Sequence, residues 1–302
     1  MRKNIYKPLS IALLSLGLAT SPLVMAKDSA LPSLQQLKSS VVEAIKPKVD
    51  QSSAKKAREK RKEVISEAVT AIDQTFNALQ ALEENKSKEA LADLEDVTGK
   101  LELILARDPE LALAPMDVEV VTYDLFADLD TIKDVIEEAK DYMEDGEIQK
   151  ARPLVENLAS EMVFRTTSIP LATYPDAIKE VVPLIDEGKI EEAKTALQAA
   201  LNTLVITTEI VPLPSLRAKY LIHSAEKLAE TSDRTSKDNE TLDELLKNAR
   251  EQLKMGELLG YGSKKSYKPM YKQLDEIEKK VAGGKSGKGW FDKIKQQISE
   301  AF

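Results

Sequence analysis

Reactive side chains are scarce in this chain. Among 302 residues there is one histidine, His223, and no cysteine. The lack of cysteine removes disulfides, thiolate nucleophiles and thiolate metal sites together. His223 falls on a predicted helix near Tyr220 and Glu226, with no second histidine or cysteine to complete a zinc site and no nucleophile-elbow pattern for a serine triad. Carboxylates are abundant, but the pairs Glu83-Glu84, Glu137-Glu138 and Glu191-Glu192 lie on polar helix faces and read as solvated surface. The acidic run DLDTIKDVIEEAKDYMEDGE lacks the ligand spacing and central glycine of an EF-hand. GGKSGKG is not a phosphate loop, because Lys279 stands five positions before Gly284 where that loop needs a glycine. The expectation is a non-enzyme with no catalytic residue, metal site or cofactor.

Polar groups that could bind without catalysing gather in two related stretches, RTTSIPLATYP (165–175) and ITTEIVPLPSLRA (206–218). Thr166, Thr167, Thr207 and Thr208 are read as helix-end residues whose hydroxyls bond free backbone groups. Arg165, Tyr174 and Arg217 flank them. A structural role is the first reading. The second is a ligand or client groove, formed if stacked repeats bring these seven residues together.

The elements meant to position them read as helices. Val64, Ala68, Ile72, Phe76, Leu79 and Leu82 recur at helical steps, and so do Ala90, Leu91, Leu94, Val97, Leu101, Ile104 and Leu105. A long third helix is predicted over Val118–Met143, stopped by Gly146. An offset of about 42 residues then maps Gly146, Ile148 and Ala151 onto Gly188, Ile190 and Ala193, and Pro170-Leu171 onto Pro212-Leu213. Each unit reads as a turn glycine, an amphipathic helix, a threonine-containing end and a Pro-Leu bend, with a period near that of helical solenoids. Pro153 and Pro183 should kink or divide their helices. The expected fold class is all-α: a multi-helix bundle of stacked antiparallel helical hairpins with an internal repeat.

The ends carry different signals. Residues 1–26 read as a signal peptide, with Arg2, Lys3 and Lys7 ahead of the apolar LSIALLSLGLA and Val24 and Ala26 at the −3 and −1 positions, so cleavage is expected after Ala26. Residues 27–62 read as a flexible or weakly helical arm, ended as a helix at Pro47. Residues 63–282 form the helical domain, 283–289 a glycine-rich linker, and 290–302 an amphipathic helix. Trp290, Phe291, Ile294, Ile298 and Phe302 line one side of that helix, which either makes weak membrane or partner contact or packs on its own bundle. With 51 acidic against 43 basic residues the net charge is −8, which disfavours nucleic acid as a partner.

PLATYP, TLVITTEIVPLP and AREQLKMGELLGYG, within a stretch running from about Val64 to Leu274, resemble the YfdX family of bacterial exported proteins. The resemblance implies a helical envelope protein associated with acid and heat stress, for which chaperone-like roles and drug binding have been suggested. It brings no catalytic residues. The expectation is a periplasmic, chaperone-like holdase that forms a homo-oligomer and acts on unfolded client proteins. The alternative is a small-molecule binder using the threonine-rich turns.

Overall fold

A computed structural model describes residues 40–301. The expected signal peptide and Phe302 lie outside the described residues. The chain opens with α1 (Ser40–Lys62). Three successive helix–helix–strand segments follow: α2 (Ser66–Glu83), α3 (Ser87–Arg107) and β1 (Leu113–Tyr123); α4 (Leu129–Glu144), α5 (Ile148–Glu156) and β2 (Glu161–Pro170); α6 (Tyr174–Asp186), α7 (Ile190–Leu201) and β3 (Val205–Pro212). Helices α8 (Leu213–Glu230), α9 (Ser236–Leu258), α10 (Lys264–Val281) and α11 (Asp292–Ala301) complete the chain. The protein is mostly α-helical, as its periodicity predicts, with one small sheet.

Each hairpin turns through one residue at positive φ: Asn85 (59°), Gly146 (76°) and Gly188 (75°). Glycine and asparagine tolerate that left-handed conformation. It lets Lys86, Glu147 and Lys189 donate their N–H back to Ala81, Tyr142 and Leu184 at 2.8, 2.7 and 2.8 Å, which satisfies carbonyls that a helix end would leave free.

The sheet corrects the predicted helix over Val118–Met143, and it replaces the two Thr-Pro-Leu bends. Residues 118–123 are the second half of β1, and α4 starts only after Asp128, whose carboxylate accepts the Thr131 N–H at 2.7 Å as an N-cap. The bends are strand β2, joined to α6 by a short connection, and strand β3, which runs directly into α8. VEVVTY, MVFRTTSI and VITTEIV are dense in β-branched and aromatic residues, and such short apolar runs satisfy a period of two as readily as 3.6. Pro170 and Pro212 close their strands. Pro175 and Pro214 sit in the first turn of α6 and α8, where a missing N–H costs nothing. Pro153 and Pro183 divide nothing, since each lies in the last turn of its helix. Pro47 does not end α1 either. The helix continues through it and buries Val41, Ile45 and Val49, so this segment of the expected arm is part of the core.

Order in the sheet is β1-β2-β3, both pairs antiparallel. Directly paired residues share a face. Val118, Thr166 and Thr207 stand on one side, with Val120, Phe164 and Glu209 next along it, then Thr122, Met162 and Val211. Met162 and Phe164 on this side enter a core with α1, α8, α9, α10 and α11. The opposite side carries Glu119, Arg165 and Thr208, and Val121, Val163 and Ile210. Only its Ala114–Ile169 end enters a second core, built from α2, α3, α6 and α7.

Hairpin α6–α7 buries Ile178, Val181, Ile185, Ala193 and Leu197 in that second core. Hairpin α4–α5 buries only Ile132, Ala139 and Ala151. It leaves Met143, Ile148 and Val155 about half or more exposed. The turns are alike and the packing is not.

Candidate functional site

The seven polar residues singled out in the sequence do not converge on one groove. A strand sends alternate side chains to opposite faces, so neighbours in sequence are separated in space. Thr166 and Thr207 pair on the side under α1. Arg165 pairs with Thr208 on the other side, and Thr167 with Ile206 beside them. Tyr174 is wholly buried in the second core, where its hydroxyl donates to Thr75 Oγ1 at 3.0 Å. Burial pushes its pKa up to about 12. It cannot meet a ligand. Arg217 lies on α8, where it forks onto both oxygens of Asp124 at 2.8 and 2.7 Å.

Two binding surfaces remain. The first is the sheet side of Arg165, Thr167 and Thr208. Arg165 is paired with Glu119 at 3.2 Å. Around that pair Ile206 is 64% exposed and Ile210 49%. Tyr123 stands exposed on the same side, at the end of β1. Strand β3 is an edge: it pairs with β2 and, among the described residues, makes no backbone hydrogen bond on its other side. On the covered side its Glu209 is held by Lys56 at 2.7 Å and Lys60 at 3.1 Å, both from α1. The Lys56 hydrogen bond, outweighing the desolvation of the carboxyl, keeps Glu209 below the usual carboxylate range. Ile206 and Ile210 were missed as site residues because ITTEIV was read as a turn. The Ile-x-Thr-x-Ile alternation is the signal that marks them.

The second surface is a cleft of about 900 Å³ between α1, α4, α9 and the loop 124–128. Ile45, Val49, Ile136, Met255 and Leu258 supply its apolar walls. Phe126 sits 5.7 Å from the Arg217 guanidinium, within cation–π reach. Lys46, Lys140, Lys254 and Lys264 line it without ion-pair partners among the described residues, as do Glu43, Asp50 and Glu251. One end is fixed by a relay: Tyr261 Oη accepts the Ser160 N–H at 2.8 Å, and Ser160 Oγ lies 3.4 Å from Asp124. Burial, and the Glu161 carboxylate after it, raises the Tyr261 pKa, which keeps that phenol neutral. Only Arg217 of this set was visible as a candidate in the sequence.

Of the two readings of the C-terminal helix, the structure has it packed on its own bundle rather than held out for a membrane or partner. Phe291, Ile294 and Ile298 are buried in the first core and Trp290 packs against it. Lys295 pairs with Glu226 at 2.6 Å. The linker is pinned as well: Arg234 donates to Lys285 O at 2.7 Å and Ser286 Oγ at 3.1 Å. Among the described residues no cluster of three or more His, Cys, Asp or Glu could hold a metal ion, and no helix is long and apolar enough to cross a membrane.

Comparison with known proteins bears on the middle of the chain. Residues 71–210, from α2 into β3, match the family model described as YfdX protein. That segment, just under half of the chain, is what resembles the YfdX family. The matched segment holds all three hairpins and nearly the whole sheet, whereas α1 and α8 to α11 lie outside it. Among solved structures, Salmonella Typhi YfdX is similar at 15% identity and a TM-score of 0.35, covering 50% of this chain and 93% of that one. No curated protein matches.

Proposed function

We propose that this protein acts by binding rather than by catalysis, as a chaperone-like holdase that protects partly unfolded clients in the periplasm under heat or acid stress. The observation that carries this reading is the open edge and apolar outer face of β3, with Ile206 and Ile210 exposed. An extended client segment can add to such an edge as a further strand, with main-chain hydrogen bonds giving affinity and alternate side chains meeting the isoleucines. Mode and clientele agree: main-chain pairing reads extension, not sequence, and would serve many unrelated proteins. The net charge of −8 would keep the complexes soluble. The test is suppression of heat-induced aggregation for several unrelated clients at near-stoichiometric ratio without ATP. Protection of none, or of a single client only, speaks against a holdase.

The cleft favours a second reading, binding of a small molecule, because it joins apolar walls to unpaired lysines in the manner of ligand pockets. Its check is a saturable thermal shift with one compound class, lost in Arg217→Ala.

A further inference from the structure

We infer that a second copy of this chain occupies the β3 edge, pairing β3 with β3 of the partner about a two-fold axis at Thr208 to make one continuous six-stranded sheet. The second copy and a client compete for this one edge, so the dimer is the resting form and parts before a client adds; the proposal does not rest on client binding. An exposed edge strand is a template for further pairing, and proteins guard such edges with lysine, proline, bulges or cover. Val205–Val211 has no proline or lysine, and no bulge interrupts its register with β2. Its one charge, Glu209, is turned to the covered side and neutralised by Lys56 and Lys60.

Register follows from symmetry. A two-fold axis that pairs like strands antiparallel runs perpendicular to the sheet, so paired residues must share a face and the axis must pass through a residue. Centred on Thr208, both copies set Ile206 opposite Ile210 and Val205 opposite Val211, Thr208 meets itself, and Glu209 meets Thr207. The full strand is used and both exposed isoleucines of β3 are covered by those of the other copy. Centred on Glu209, the two carboxylates would stand opposite each other, and like charges in that position are unfavourable. Centred on Thr207, Ile206 would face Thr208 and Glu209 would face Val205. Only the Thr208 register is self-complementary on both faces, which is the requirement of an isologous contact.

The cysteine-free sequence makes the test direct, because one introduced thiol can pair only with its symmetry mate. Mild oxidation of full-length Thr208→Cys should give a covalent dimer, while Ile148→Cys, also exposed, on α5, should not. Two double variants then read the register. Ile206→Lys with Ile210→Glu sets opposite charges across the axis and should still dimerise. Ile206→Lys with Ile210→Lys sets like charges there and should weaken the dimer at least about tenfold by sedimentation. Circular dichroism would confirm that both doubles stay folded. A monomer in all variants overturns the proposal, and so does equal dimerisation of the two doubles. A monomer whose thiol at 208 resists alkylation also overturns it, by placing another segment of the same chain on the edge.

Discussion

The two sides of the sheet are made from the same three strands and treated differently. On one side Met162 and Phe164 are sealed beneath α1 and α8, and the charge among them, Glu209, has two lysine partners. On the other side Arg165, Thr208, Ile206 and Ile210 lie open, although Val163 between them is buried. The difference shows where apolar residues hold the fold and where they are held out from it. An isoleucine left half or more exposed on an edge strand adds little to stability, so the reason for its presence is sought in binding.

Breaking the sealed side should have the largest effect. Phe164→Ala removes a ring 1% exposed and should cost about 3–5 kcal/mol in urea unfolding. Leu197→Ala, in the locked hairpin α6–α7, should cost about 2–5 kcal/mol, whereas Val155→Ala in the loosely held α4–α5 should stay within about 0.5 kcal/mol. That pair would also show whether two hairpins with the same turn really differ in packing.

Alkali gives a smaller, pH-dependent effect. Tyr174 has its pKa raised to about 12 by burial, so the unfolded chain ionises first. Its contribution is complete below pH ~10 and lost as pH rises through about 12, a loss approaching ~2–3 kcal/mol. Tyr174→Phe should flatten that part of the stability curve. In acid the sign reverses: Glu209, held low, stabilises above the ordinary glutamate range and loses its hold on α1 as pH falls through its lowered pKa. Glu209→Gln should make α1 exchange its amide hydrogens faster at neutral pH and remove most of the acid dependence of that exchange. On the open side, Arg165→Ala, which leaves Glu119 in solvent, should change stability by less than about 1 kcal/mol.

Much of the helical framework was legible in the sequence because amphipathic stripes and turn residues report it locally. Gly146 and Gly188 mark hairpin turns, and the stripes of α2 and α3 fall where the periodicity places them. The sheet was not legible, since MVFRTTSI and VITTEIV are short apolar runs whose partners lie some forty residues away, and local periodicity cannot see a ladder closed over that distance. Val118–Tyr123 was absorbed into a helix because Val121 continues the stripe of α4, and only the cap at Asp128 marks the true start. The site suffered in consequence: Thr166 and Arg165 are adjacent in the chain and on opposite sides of the sheet. The tail stayed open between two readings for another reason. A glycine-rich linker reads as loose, but Arg234, 51 residues away, fixes it at Lys285.

Client protection by a variant altered only on the exposed side is the most direct measurement. Ile206→Ser with Ile210→Ser should leave urea stability within about 0.5 kcal/mol, because neither side chain is in a core. The same variant should lose most of its ability to keep heat-denatured clients in solution. If it protects them as well as the unaltered chain does, β3 is not the working surface and the proposed function loses its support.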